Sequence, residues 1–176
     1  MSIQRDGLDA STLAVHVGNE PDAATGAVAP PLHLSTTFRH GPAGERVAGY
    51  EYQREGNPTN DRLRAALVAL EGGEDALTFA SGMAAMTTLL ESLPGGARVL
   101  FPDDCYSGLR MLFEEFLPER GIVATVVDMA DLDAVRAACA TPLALLWIET
   151  PSNPLMKIAD IAALAQIGHA AGAIVV

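Results

Sequence analysis

The chain is 176 residues long, enough for one well-buried core, and 49% hydrophobic with 19% charged residues, the balance of a globular protein rather than a disordered one. Its net charge of −11 argues against nucleic acid or an anionic membrane as partner, since both need basic surface; a phosphate-bearing ligand needs only one arginine and a helix N-terminus. Two cysteines, Cys105 and Cys139, make no disulfide framework and fit a reducing cytoplasm. The opening MSIQRDGLDAST lacks the apolar run of a signal peptide, and no stretch reaches the length of a membrane span. His16, His33, His40 and His169 are scattered, so no metal-ligand spacing exists.

Residues 1–48 are rich in Gly, Pro, Thr and Ala and have little periodicity; only Ser11–Val17 is predicted helical. An arm this long without its own core must lie on something else. Tyr50–Thr59, YEYQREGNPT, then gathers two tyrosines, an arginine and a Gly-Asn-Pro turn ahead of a helix marked by Leu63, Ala66, Leu67 and Leu70 and closed by Gly72-Gly73. From there strand and helix alternate. Strands are predicted at Ala76–Phe79, Arg98–Phe101, Ile122–Val127, Leu143–Ile148 and Ala173–Val176. Helices are predicted at Gly82–Ser92, Ser107–Leu117, Asp131–Ala138 and from an Asp160 cap to Ala171. Apolar strands alternating with helices predict an α/β fold, a three-layer helix-sheet-helix with a mainly parallel sheet. The expected organisation is an arm over 1–48 and the first part of a larger domain over 49–176, because the last strand ends without turn, helix or polar tail and reads as an interruption.

In such a sheet ligands bind beyond the carboxyl ends of the strands. Ser81-Gly82-Met83 opens a helix directly after a predicted strand, where free N–H groups and the helix dipole favour an anion. Arg54 offers a planar fork of donors suited to phosphate, with the Tyr52 hydroxyl beside it. Tyr106 supplies a flat face for a ring, Asn153 stands in a turn between Ser152 and Pro154, and Glu149 ends the fourth predicted strand.

Tyr50–Thr59, Ala80-Ser81-Gly82-Met83, Asp104–Gly108 and Glu149–Pro154 follow one another in the order found in the pyridoxal-phosphate enzymes of cysteine and methionine metabolism, which the chain resembles along essentially its whole length. The resemblance implies the large domain of the fold type I pyridoxal-phosphate transferases and pyridoxal 5'-phosphate as cofactor. Its phosphate would be met by Ser81, Gly82 and Met83, and by Tyr52 and Arg54 from the neighbouring subunit. Tyr106 would stack on the cofactor ring and serve as an acid/base group, Asn153 would reach the ring hydroxyl or the substrate carboxylate, and Glu149 would support the site. The implied assembly is a homo-oligomer, a dimer of dimers with shared active sites and the N-terminal arm crossing an interface.

The implied chemistry is β- or γ-elimination, or γ-replacement, on a sulfur amino acid. The sequence Asp104-Cys105-Tyr106 is similar to cystathionine γ-synthase and γ-lyase, and Gly108 stands where methionine γ-lyases carry a cysteine. An O-acylhomoserine sulfhydrylase, a methionine γ-lyase, or a non-catalytic remnant used for binding or assembly are the alternatives. Lys157, the only lysine, is expected not to be the family's covalent anchor, which lies one strand further on; as written, the chain is expected to lack catalytic competence.

Overall fold

Asn57 and Pro58 begin the longest helix of the protein, and the local chemistry explains why. In this computed structural model, which describes residues 7–176, the Asn57 side chain accepts the Thr59 N–H at 2.8 Å and proline occupies the first turn, where its missing donor costs nothing. The first six residues of the expected arm lie outside the described residues. The chain divides into two compact units, Met1–Thr78 and Phe79–Val176.

In the first unit, α1 (Ala10–His16) and α2 (Pro58–Glu71) flank a long irregular stretch. That stretch is held to α2. Arg62 donates to the carbonyls of Gly18 and Glu20, and Asn57 donates to the His33 carbonyl at 3.0 Å. Gly18 has φ +79°, and a side chain there would lie 2.4 Å from the Arg62 carbonyl oxygen, so the close approach needs glycine. Gly72 ends α2 in the left-handed conformation at φ 65°, as the double glycine predicted.

The second unit carries the sheet. Strands β1 (Arg98–Pro102), β2 (Val123–Val127), β3 (Leu145–Leu146) and β4 (Ile174–Val175) pair in parallel in the order β2-β1-β3-β4. The β3 ladder is short, but Trp147 N–H to Leu100 O and Ile148 N–H to Val176 O continue the pairing along the predicted Leu143–Ile148. Side chains alternate between faces. Val99, Phe101, Leu145 and Trp147 join Leu90 of α3 (Gly82–Glu91) and Leu109, Phe113 and Leu117 in one buried cluster. On the other face, Leu100 and Leu146 join Val135 of α6 (Leu132–Ala138) and Leu164 of α7 (Ile161–Ala170). This is the three-layer α/β arrangement expected from the alternating pattern. Phe113 stacks on Phe101 at 4.4 Å between ring centroids and meets Trp147 edge-on at 6.0 Å.

Two expectations need correction. Ala76–Phe79 forms no strand, so the described residues hold four strands rather than five. A strand requires a partner, and these residues form no ladder with any described strand; instead Arg64 Nε–H donates to the Ala76 carbonyl and the Asp75 carboxylate accepts the Ala76 N–H. The helix predicted over Ser107–Leu117 is built in three pieces: α4 (Ser107–Met111), a π-helical turn (Leu112–Phe116) and a last turn, α5 (Leu117–Glu119). Pro118 has no N–H and crowds the carbonyl four residues back, so a wider preceding turn keeps the segment helical.

Asp160 caps α7 as predicted, its carboxylate accepting the Ala163 N–H at 3.0 Å. Asp160→Ala is expected to cost about 1 kcal/mol of unfolding free energy, readable in urea titration, with Asp160→Ser recovering most of it.

Candidate functional site

The carboxyl ends of β1 and β3 lead into two loops, and one carboxylate ties them. Glu149 accepts the Tyr106 N–H through both oxygens at 3.1 Å and the Asn153 N–H at 3.1 Å. Tyr106 comes from the loop after β1 and Asn153 from the loop after β3, so these neighbouring parallel strands bring residues 47 positions apart in sequence to one end of the sheet. Glu149 is the shared acceptor of the two loops. Tyr106 is partly exposed, at 42%.

Met83 joins the same cluster. A side chain at Gly108 would lie 2.7 Å from Tyr106 Cε1 and 2.9 Å from Met83 Sδ, so the bare glycine is what lets the ring and the thioether lie over the start of α4. Ser81 caps α3 by accepting the Ala84 N–H at 3.1 Å. The N–H groups of Gly82 and Met83, the first two of the helix, find no acceptor among the described residues. Two free donors at the positive end of a helix fit an anion. Because Ala76–Phe79 is not a strand here, α3 follows an irregular segment rather than the strand predicted before it.

Asp104, Ser152 and Lys157 had received no positive role from their residue types, and the structure shows what they do. Asp104 is buried, at 5% exposure, and its Oδ2 accepts the Ser152 hydroxyl proton and, at 2.9 Å, the Leu155 N–H. Ser152 Oγ in turn accepts the Lys157 N–H at 2.9 Å. The peptide bonds before Pro151 and Pro154 are cis. The Asp103-Asp104 pair at a strand end was the available signal, but nothing in the sequence says which carboxylate turns inward.

Lys157 Nζ bridges Asp103 at 2.7 Å and Asp128 at 2.9 Å. The hydrogen bonds it donates to Asp103 and then to Asp128 raise the ammonium pKa, while accepting the Ala130 N–H and then the Lys157 ammonium lowers that of Asp128. The signs differ at the two ends of the pH scale. The Lys157 contribution is complete below its unfolded value and is lost as pH rises through the raised folded one. The Asp128 contribution is present above its unfolded value and is lost as pH falls through the depressed one. Lys157→Met is therefore expected to flatten the alkaline fall in melting temperature; an unchanged alkaline limb in calorimetry would contradict this.

Tyr52 and Arg54 belong to the first unit. The Arg54 guanidinium sits 4.8 Å over the Tyr52 ring and has no hydrogen bond among the described residues. It lines a cavity of about 370 Å³ with His33, Gln53, Asn57 and Asn60. Among the described residues no group of three or more His, Cys, Asp or Glu side chains is placed to hold a metal ion, and no helix is long and apolar enough to cross a membrane.

Residues 11–176 match the family model described as Cys/Met metabolism PLP-dependent enzyme. Over 162 residues the chain is 43% identical to a probable cystathionine gamma-synthase of Herpetosiphon aurantiacus, covering 92% of this chain and 50% of that protein. It is 41% identical to the cystathionine gamma-lyase of Homo sapiens over 166 residues, 94% of this chain and 41% of that one. Among solved structures, metB from Corynebacterium glutamicum aligns with a TM-score of 0.90 at 36% identity, over 97% of this chain and 45% of that one. A cystathionine gamma synthase from Xanthomonas oryzae pv. oryzae, solved in complex with aminoacrylate and cysteine, aligns with a TM-score of 0.87 at 35% identity, over 96% and 43%. The chain spans half the length, or less, of these relatives.

Proposed function

The chain belongs to the Cys/Met metabolism PLP-dependent enzyme family, whose cofactor is pyridoxal 5'-phosphate, and from that premise we propose that it forms one side of the cofactor cup in a transsulfuration enzyme of the cystathionine gamma-synthase or gamma-lyase type. The observation that carries this reading is the Glu149 joint between Tyr106 and Asn153, beside the free N–H groups of Gly82 and Met83. Those donors and the capped start of α3 fit a phosphate.

When bound, the cofactor supplies an electron sink for the carbanion left by loss of the substrate's α-proton. The residues of this chain do the rest. Gly82 and Met83 bind the phosphate through their backbone, with the Ser81 hydroxyl at the helix mouth. Tyr106, its backbone held by Glu149, would offer its ring as a flat partner for the pyridine and its hydroxyl as a proton carrier. Asn153 orients the ring hydroxyl or the substrate carboxylate. Tyr52 and Arg54 hold the phosphate of a neighbouring subunit's cofactor, in a cytoplasmic dimer of dimers whose arm over residues 1–48 makes subunit contacts.

Lys157 is not the covalent anchor in this reading. An anchor must lose its proton to attack the cofactor's aldehyde, whereas Asp103 and Asp128 keep this amine charged. Borohydride treatment of the 176-residue chain with pyridoxal phosphate is expected to leave no stoichiometric label on Lys157; unique labelling there, with lyase activity, would reverse the assignment.

The test of the main reading uses the full-length product of the gene. It should take up pyridoxal phosphate and either cleave cystathionine or form it from an activated homoserine and cysteine. Failure to bind the cofactor, or turnover confined to substrates without a sulfur or activated oxygen at the β or γ carbon, would sink it.

A further inference from the structure

Asn153 lies between two residues that share one acceptor. Ser152, before it, donates its hydroxyl proton to Asp104 Oδ2, and Leu155, two residues after it, donates its N–H to the same oxygen at 2.9 Å. The N–H of Asn153 itself goes to Glu149 Oε1 at 3.1 Å. Asp104 stands at the end of β1 and reaches into the loop after β3, whereas Glu149 stands at the end of β3 and reaches back to Tyr106 in the loop after β1. The two carboxylates cross. Each loop is held by an acid that belongs to the other.

From this arrangement we propose that Asp104 is a positioning residue: with Glu149 it forms a crossed clasp that sets Asn153 relative to Tyr106. Its bearing on ligand binding rests on the proposed role of Asn153. Asp104 is buried and Asn153 is exposed, so Asp104 acts without touching the ligand. Burying a carboxylate is costly unless its oxygens are satisfied, and here the satisfying donors are those of the Asn153 turn. The Ser152 hydroxyl extends the clasp by accepting the Lys157 N–H, closing the far side of the turn.

Removal of the acceptor and its retention can be separated. Asp104→Ala leaves both donors without a partner, whereas Asp104→Asn can offer its amide oxygen to both. In hydrogen exchange on the ligand-free chain, Asp104→Ala is expected to speed the Leu155 and Asn153 amides by about tenfold or more, and Asp104→Asn to return them to within about threefold of the parent, with the β1 amides unchanged throughout. If Asp104→Ala fails to fold, Ser152→Ala, which removes one of the two donors, is expected to speed Leu155 by about threefold. Unchanged Leu155 and Asn153 exchange in the folded variants overturns the clasp.

The second arm is pyridoxal-phosphate affinity in a double-mutant cycle on the full-length product. Asp104→Ala should weaken binding by about tenfold when Asn153 is present and by much less in an Asn153→Ala background, because its effect passes through that residue. Equal losses in both backgrounds would make Asp104 a general structural residue and overturn the proposal. If the parent protein takes up no cofactor, the functional reading fails and the exchange experiment alone decides the clasp.

Discussion

Glu149→Ala is expected to be the most damaging single change at the site, weakening pyridoxal-phosphate binding by about 3 kcal/mol, roughly a hundredfold. The side chain is the shared acceptor for Tyr106 and Asn153, so its removal leaves two backbone donors unpaired and frees both loops at once. Glu149→Gln is the informative companion. Its amide oxygen can take the place of Oε1, which serves both donors, while its NH₂ faces the Tyr106 N–H; the expected loss is about 1 kcal/mol. Equilibrium dialysis against the cofactor, with thermal melting run in parallel, separates a binding defect from unfolding. Parent-like binding by Glu149→Ala would show that the joint plays no part in holding the ligand.

The second large effect belongs to Arg54. Removing a charge-assisted phosphate contact should cost about 1.5–3 kcal/mol, read as faster loss of cofactor on dialysis. The proposed assembly makes a sharper demand, because Arg54 would serve the neighbouring subunit. Arg54→Ala chains mixed with Glu149→Ala chains should then regain activity: each mixed pair has one site with both defects and one with neither. If Arg54 served its own subunit, every site in the mixture would carry one defect and no activity would return. The guanidinium is suited to the task, since Tyr52 supports it from below and no partner among the described residues uses its donors.

Much of this protein can be read from local chemistry. The Asp160 and Asn57 caps, the Gly72 stop and the β-branched run at Val123–Val127 are decided by residues within a few positions of one another, so their signals survive without a partner in view. The same holds for the alternation that sends Val99 and Phe101 to one face and Leu100 to the other. The order of the site segments, and the family they point to, also lie in the sequence, because residue types at fixed spacing carry that signal.

Pairing and inward aim do not. Ala76–Phe79 has the composition of a strand but lacks a partner among the described residues, and β propensity expresses itself only against a neighbouring strand. The sequence places Asp103 and Asp104 side by side with equal claims. Only the fold gives the first to the Lys157 ammonium and buries the second under the Asn153 turn, because a carboxylate's role is set by the donors that tertiary structure brings within about 3 Å of it. Glu149 announces itself at a strand end by position. That its two oxygens span Tyr106 and Asn153 follows from the parallel pairing of β1 with β3, a contact between residues more than forty positions apart that no local pattern encodes.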